Sequence, residues 1–186
     1  MQDRVDRDRR GFIAAMATAT LAAAASSACS EQPAGVRGLR FASLAEAAVE
    51  LERLGQAPAL ASTTDWSWAR TLVHCAQSIE YSMIGYPTRK SMLFQRTIGA
   101  AAYGAFAWRG RMSHDLAEPI PGAPALEAAP DKAAASARLR QALHAFSRWP
   151  AALRPHFAYG LLDKTEYELA HAMHLADHFS AFRALP

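Results

Sequence analysis

Three histidines near the C-terminus, His171, His174 and His178, fall at i, i+3 and i+7, a spacing that places side chains on one stripe of a helix. His174 and His178 are one turn apart, so both imidazoles can address one atom, which is what a His-x-x-x-His pair offers a transition metal. Two imidazoles do not complete a site, and a third ligand has to come from another element. His74 is the best candidate, because it sits mid-way along a predicted helix, where a ligand is held more rigidly than on a loop. His114 lies at a crossover, and His156 follows Pro155 in a loop. The plain alternative for His74 is a buried imidazole hydrogen-bonded to a neighbouring helix.

The elements that must position these rings read as helices. The chain is Ala-rich and poor in Val and Ile, which favours helix at uncommitted positions. A first helix begins at the capping box Ser43-Leu44-Ala45-Glu46 and ends near Gly55, with Leu44, Ala47, Leu51 and Leu54 inward. After a loop at 56–63, a second runs from Asp65 to Met83 with Trp68, Leu72, Cys75, Ala76, Ile79 and Met83 as its core stripe. His74, Gln77, Ser78 and Tyr81 form a polar line on another face, whose plain reading is a solvated surface. A third helix, Lys90 to Trp108, is apolar nearly all round and is expected at the centre. Pro119, Pro121, Pro124 and Pro130 make the following stretch a long crossover. A fourth helix runs from Asp131 to about Trp149, and a last one opens at the box Asp163-Lys164-Thr165-Glu166 and continues to about Arg183. The expected class is all-α, an up-and-down four-helix bundle with a long crossover loop, over residues 41–186.

The chain has 186 residues, 51% hydrophobic and 20% charged, which excludes a disordered tail and a polytopic membrane protein. Its net charge of +3 is spread without a basic cluster, so nucleic acid is not an expected partner. Residues 1–28 read as a signal segment: Arg9-Arg10-Gly11-Phe12-Ile13 is a twin-arginine pair before an uncharged, Ala-rich stretch. Ser26-Ser27-Ala28-Cys29 suits either cleavage after Ala28 or lipidation of Cys29, and residues 29–40 then read as a linker. The Tat export machinery is the partner this implies, and the periplasm or cell envelope, with Cys29 as a candidate membrane anchor, is the destination. That route carries folded proteins and favours those that acquire a cofactor before export.

The run from Asp65-Trp66-Ser67-Trp68 to Val73-His74-Cys75, paired with His174-Leu175-Ala176-Asp177-His178, resembles the DinB/YfiT-like superfamily of metal-dependent four-helix proteins. The stretch Pro155-His156-Phe157-Ala158-Tyr159-Gly160, continuing to Glu166, is similar to the branch catalogued as domain of unknown function 1569. The resemblance covers about Phe41 to Phe182 and implies a divalent metal held by His74, His174 and His178. It also implies a fold that can form homodimers. Many members have paired histidines where this chain has Asp177-His178, so no further residue is carried over.

Three neutral imidazoles leave a coordination position open, which suits hydrolysis, Lewis-acid chemistry or binding of a thiol cofactor. Zn, Ni, Fe and Mn all accept imidazole and are not distinguished by residue type. His171, Gln77, Ser78, Glu80 and Tyr81 are candidate neighbours or acid–base groups, and Asp177 either orients an imidazole or faces water. The expected function is an exported metal-binding protein, a hydrolase or thiol-linked transferase acting on a small molecule. The competing reading is a non-enzymatic metal- or ligand-binding bundle of the envelope.

Overall fold

The computed structural model describes residues 36–128 and 130–186; the twin-arginine pair, the cleavage position at Ala28 and Cys29 lie outside the described residues. Each long helix begins where a side chain can satisfy free amides. Ser43 accepts the Glu46 amide at the start of α1 (Leu44–Gly55). A short strand, β1 (Ala59–Ser62), follows. Ser67, two residues after the expected Asp65, caps α2 (Trp68–Ile84). Next come α3 (Met92–Phe94), a π-helical turn (Gln95–Gly99) and α4 (Ala100–Arg109). Asp131 caps α5 (Lys132–Ser147), and Asp163 with Glu166 forms the expected capping box of α6 (Lys164–Ser180). The strand β2 (Phe182–Leu185) closes the chain.

The described chain is mostly helical, with one two-stranded antiparallel sheet. The α2 helix lies along α5, while α6 packs against α1 and α2. Leu51, Leu54, Leu72, Ile79, Leu139, Phe146, Leu175 and Phe179 fill the space between them. Among the described residues no helix is long and apolar enough to cross a membrane. Residues 37–40 are tied to the end of α6: Arg37 donates to the Phe179 carbonyl and pairs with Glu50, and the Leu39 amide donates to Ser180 Oγ.

Two expectations are corrected. The all-α reading missed the sheet, because Ala59–Ser62 and the last residues carry no local strand signal and pair only through the tertiary fold. Ser62 lies opposite Phe182, whose buried ring meets Trp68 with centroids 5.0 Å apart, so burial of Phe182 ends α6 at Ser180 instead of Arg183.

The helix expected at the centre is the second correction. It is broken by the π turn and lies at the periphery: Met92, Leu93 and Ile98 are exposed, and Trp108 is 87% exposed. All-round apolarity therefore did not report burial. What this segment does bury is Gln95 and Gly99, which face the loop at 155–160. A Cβ on Gly99 would stand 2.0 Å from the Ala158 carbonyl oxygen. Backbone cannot yield as a flexible side chain can, so Gly99→Ala is expected to destabilise the protein by about 2 kcal/mol, measured by urea unfolding.

Candidate metal centre

His74 arises from the middle of α2 and His174 and His178 from successive turns of α6, with Nε2 of His74 3.3 Å from that of His174 and Nε2 of His174 3.0 Å from that of His178. A fourth ring joins them. His114, from the crossover loop, places its Nε2 3.2 Å from that of His178. Donor atoms of all four lie within 4.8 Å of one another. Ranking helix-borne ligands above loop-borne ones passed over His114, and the structure shows how a loop residue is fixed here. Asp177, beside His178, has Oδ2 2.9 Å from His114 Nδ1 without a hydrogen bond between them. The same oxygen accepts the His114 backbone N–H at 3.2 Å. Asp177 thus packs against His114 and does not simply face water. On the far side, the Trp66 ring meets His74 edge to face, and Arg70 lies over Trp66.

Protons alone do not satisfy this cluster. A neutral imidazole nitrogen either donates or accepts, never both. The four rings form a chain, His74 to His174 to His178 to His114, and whichever way donors and acceptors alternate along it, the single N–H of one middle ring would have to serve two neighbours at once. One cation accepts all four lone pairs. Four nitrogens about 2.0–2.1 Å from a single ion at tetrahedral angles stand roughly 3.3 Å apart; three of the separations here are 3.0, 3.2 and 3.3 Å, and the donor atoms all lie within 4.8 Å. The donor set, imidazole without thiolate, fits a transition metal such as Zn, Ni or Fe.

Burial first, then the neighbouring His114 imidazole, pushes the His74 pKa down to about 3. Burial likewise holds His174 and His178 well below the usual range, helped by neighbouring imidazoles. These rings are therefore neutral, the state a metal ligand needs.

A cleft with a cavity volume of about 130 Å³, partly open to solvent, abuts His74, His114 and His174. His178 lies behind them. The polar line on α2 is buried, contrary to a solvated face: His74, Gln77 and Ser78 are 3%, 7% and 7% exposed. Ser78 lines the cleft, whereas Gln77 is buried away from its lining. His171 also lines it. Glu80 faces elsewhere, making a two-point pair with Arg138 of α5 at 2.9 and 2.7 Å. The Tyr81 ring packs near Tyr86. Cys75 is a buried free thiol whose pKa burial raises, as an inert core residue requires.

A family model described as protein of unknown function (DUF1569) matches residues 34–184. No curated protein and no solved structure matches the chain.

Proposed function

This chain belongs to the DUF1569 family of proteins of unknown function, and from that premise we propose that it binds a divalent transition metal through His74, His114, His174 and His178 and acts on a small molecule in the adjoining cleft. The convergence of four Nε2 atoms through contacts of 3.3, 3.0 and 3.2 Å carries this reading. We read α1, α2, α5 and α6 as an up-and-down DinB-like bundle, with the loop containing His114 as its crossover. The twin-arginine pair supports export of the folded protein to the periplasm or envelope.

A bound divalent ion would supply Lewis-acid polarisation of an oxygen- or sulfur-bearing ligand, the chemistry of hydrolysis or thiol-linked transfer. Asp177 holds His114 at the mouth of the site, where the His114 side chain is 28% exposed. The cleft reaches three of the four rings, and its apolar wall, including Met112, Ile120 and Phe157, limits water around a bound molecule. Burial pushes the pKa of Tyr159 up to about 12, so its phenol stays protonated beside the cleft.

The fourth imidazole also supports a second reading. Four ligands complete a tetrahedral set, and a closed set belongs to a non-enzymatic metal protein. Elemental analysis of the purified chain, followed by assay of the metal-loaded protein on ester, amide and thiol-transfer substrates, separates the readings. One ion per chain with turnover supports the enzyme; one ion with silence across the panel supports the binder; no stoichiometric ion rejects both.

Asp177→Asn is expected to lower metal affinity about tenfold to a hundredfold, because it removes the charge beside His114. Competition with a chelator measures this, and an unchanged affinity would remove Asp177 from the site.

A further inference from the structure

The cleft lining carries two further imidazoles, His156 and His171, that do not belong to the four-histidine cluster. His156 sits in a tight loop docked with care: Gln95 Nε2 donates to the carbonyls of His156 and Phe157 at 3.4 and 3.2 Å. Gly99 gives the Ala158 carbonyl room. Gly160 closes the loop at φ +82, exchanging backbone hydrogen bonds with His156. The His156 ring stacks on Tyr159, with centroids 4.2 Å apart and planes 6° from parallel.

This docking fixes a tautomer. His156 Nδ1 accepts the backbone N–H groups of Ala158 and Tyr159, each at 3.2 Å. A neutral imidazole whose Nδ1 accepts carries its proton on Nε2. His156 is therefore a built hydrogen-bond donor in the lining of the cleft. His171 stands in the same lining, its ring stacked on Tyr167 and meeting Phe146 edge to face. It is 2% exposed, and its Nε2 is buried without a hydrogen-bond partner among the described residues. Burial keeps both rings neutral. Among the described residues neither Lys nor Arg lines this cleft, and Glu118 adds a carboxylate. Such a surface disfavours a carboxylate or phosphate beside these rings.

We infer that His156 and His171 form a recognition pair for an uncharged oxygen, a carbonyl or hydroxyl, of a small molecule whose other end is held at the four-histidine cluster. This inference rests on the reading of that cluster as a metal centre, and it adds what the ligand must look like. An uncharged molecule is required, with a metal-binding atom at one end and an oxygen at the other.

The test uses the full chain loaded with Co(II), whose visible and near-ultraviolet spectrum reports both metal uptake and thiol binding. The probes are N-acetylcysteamine, which carries a thiol and an amide carbonyl, and 1-butanethiol, which lacks the carbonyl. His156→Asn keeps an acceptor for the Ala158 and Tyr159 amides but removes the Nε2 donor. His171→Phe keeps the stacked ring and removes its nitrogens. Each variant is expected to take up one cobalt per chain and to bind N-acetylcysteamine about tenfold more weakly than the unsubstituted chain does, with 1-butanethiol unchanged. Intact cobalt uptake with both thiols affected equally, or neither affected, overturns the recognition pair while leaving the metal centre standing. Absence of a cobalt spectrum in the unsubstituted chain overturns both.

Discussion

Replacing His178 with alanine is expected to weaken divalent-metal binding by at least about a hundredfold. His178, like His174, meets all three other rings of the cluster. Its Nε2 is 3.0 Å from that of His174 and 3.2 Å from that of His114, and the residue is 1% exposed. Deleting it removes a donor and the packing partner of the other three rings. His114→Ala is expected to cost less, because that ring is held from a partly exposed loop by Asp177. Titration against a chelator of known affinity, with thermal unfolding to confirm that the variant folds, measures the difference. Affinity within a few-fold of the unsubstituted chain would show that the rings converge without sharing an ion.

Acid is expected to have the second large effect. His156 and His171 are both pushed down to about 3, by burial first, with His171 adding to the shift of His156. The unfolded chain takes up a proton on each near pH 6.5, whereas the folded chain does so only near pH 3. Between those values the unfolded state binds more protons, so stability is full above pH 6.5 and falls as pH is lowered toward 3. At pH 5 each ring accounts for a loss of about 2 kcal/mol, about 4 kcal/mol together, a large part of the total stability of a small protein. His74 shifts in the same direction. Urea unfolding of chelator-treated protein at pH 7 and pH 5 tests this. The double variant His156→Asn with His171→Phe is expected to lose the share of the pH dependence due to these two rings, about 4 kcal/mol, while the share due to His74, His174 and His178 remains. Equal stability of the unsubstituted chain at the two pH values would contradict the burial of these rings as neutral groups.

The parts of this arrangement set by local sequence were legible and those set by distant contacts were not. Ser43, Asp131 and Asp163 announced their helices because a cap acts within one turn. The α6 stripe followed from spacing alone, and His74 stood out as the partner across a hundred residues by its place mid-way along a helix, which the resemblance then matched. His114 was passed over because nothing local distinguishes a loop histidine that a remote carboxylate will hold. The available hint was Asp177, set between His174 and His178 on the ligand-bearing helix, where a half-buried carboxylate needs a partner. The recognition loop was similarly hidden, because the close approach of the Ala158 carbonyl to Gly99 joins positions far apart in the chain. The segment 92–109 misled in the other direction, because apolar residues all around a helix say that it can be buried, not that it is.

X-ray absorption at the metal edge of the purified, metal-loaded chain tests the central claim most directly. One ion per chain is predicted, in a nitrogen shell about 2.0–2.2 Å away that shows the multiple scattering of several imidazoles and loses part of it in His178→Ala. A chain without stoichiometric metal, or an ion whose surroundings contain no imidazole, would contradict it.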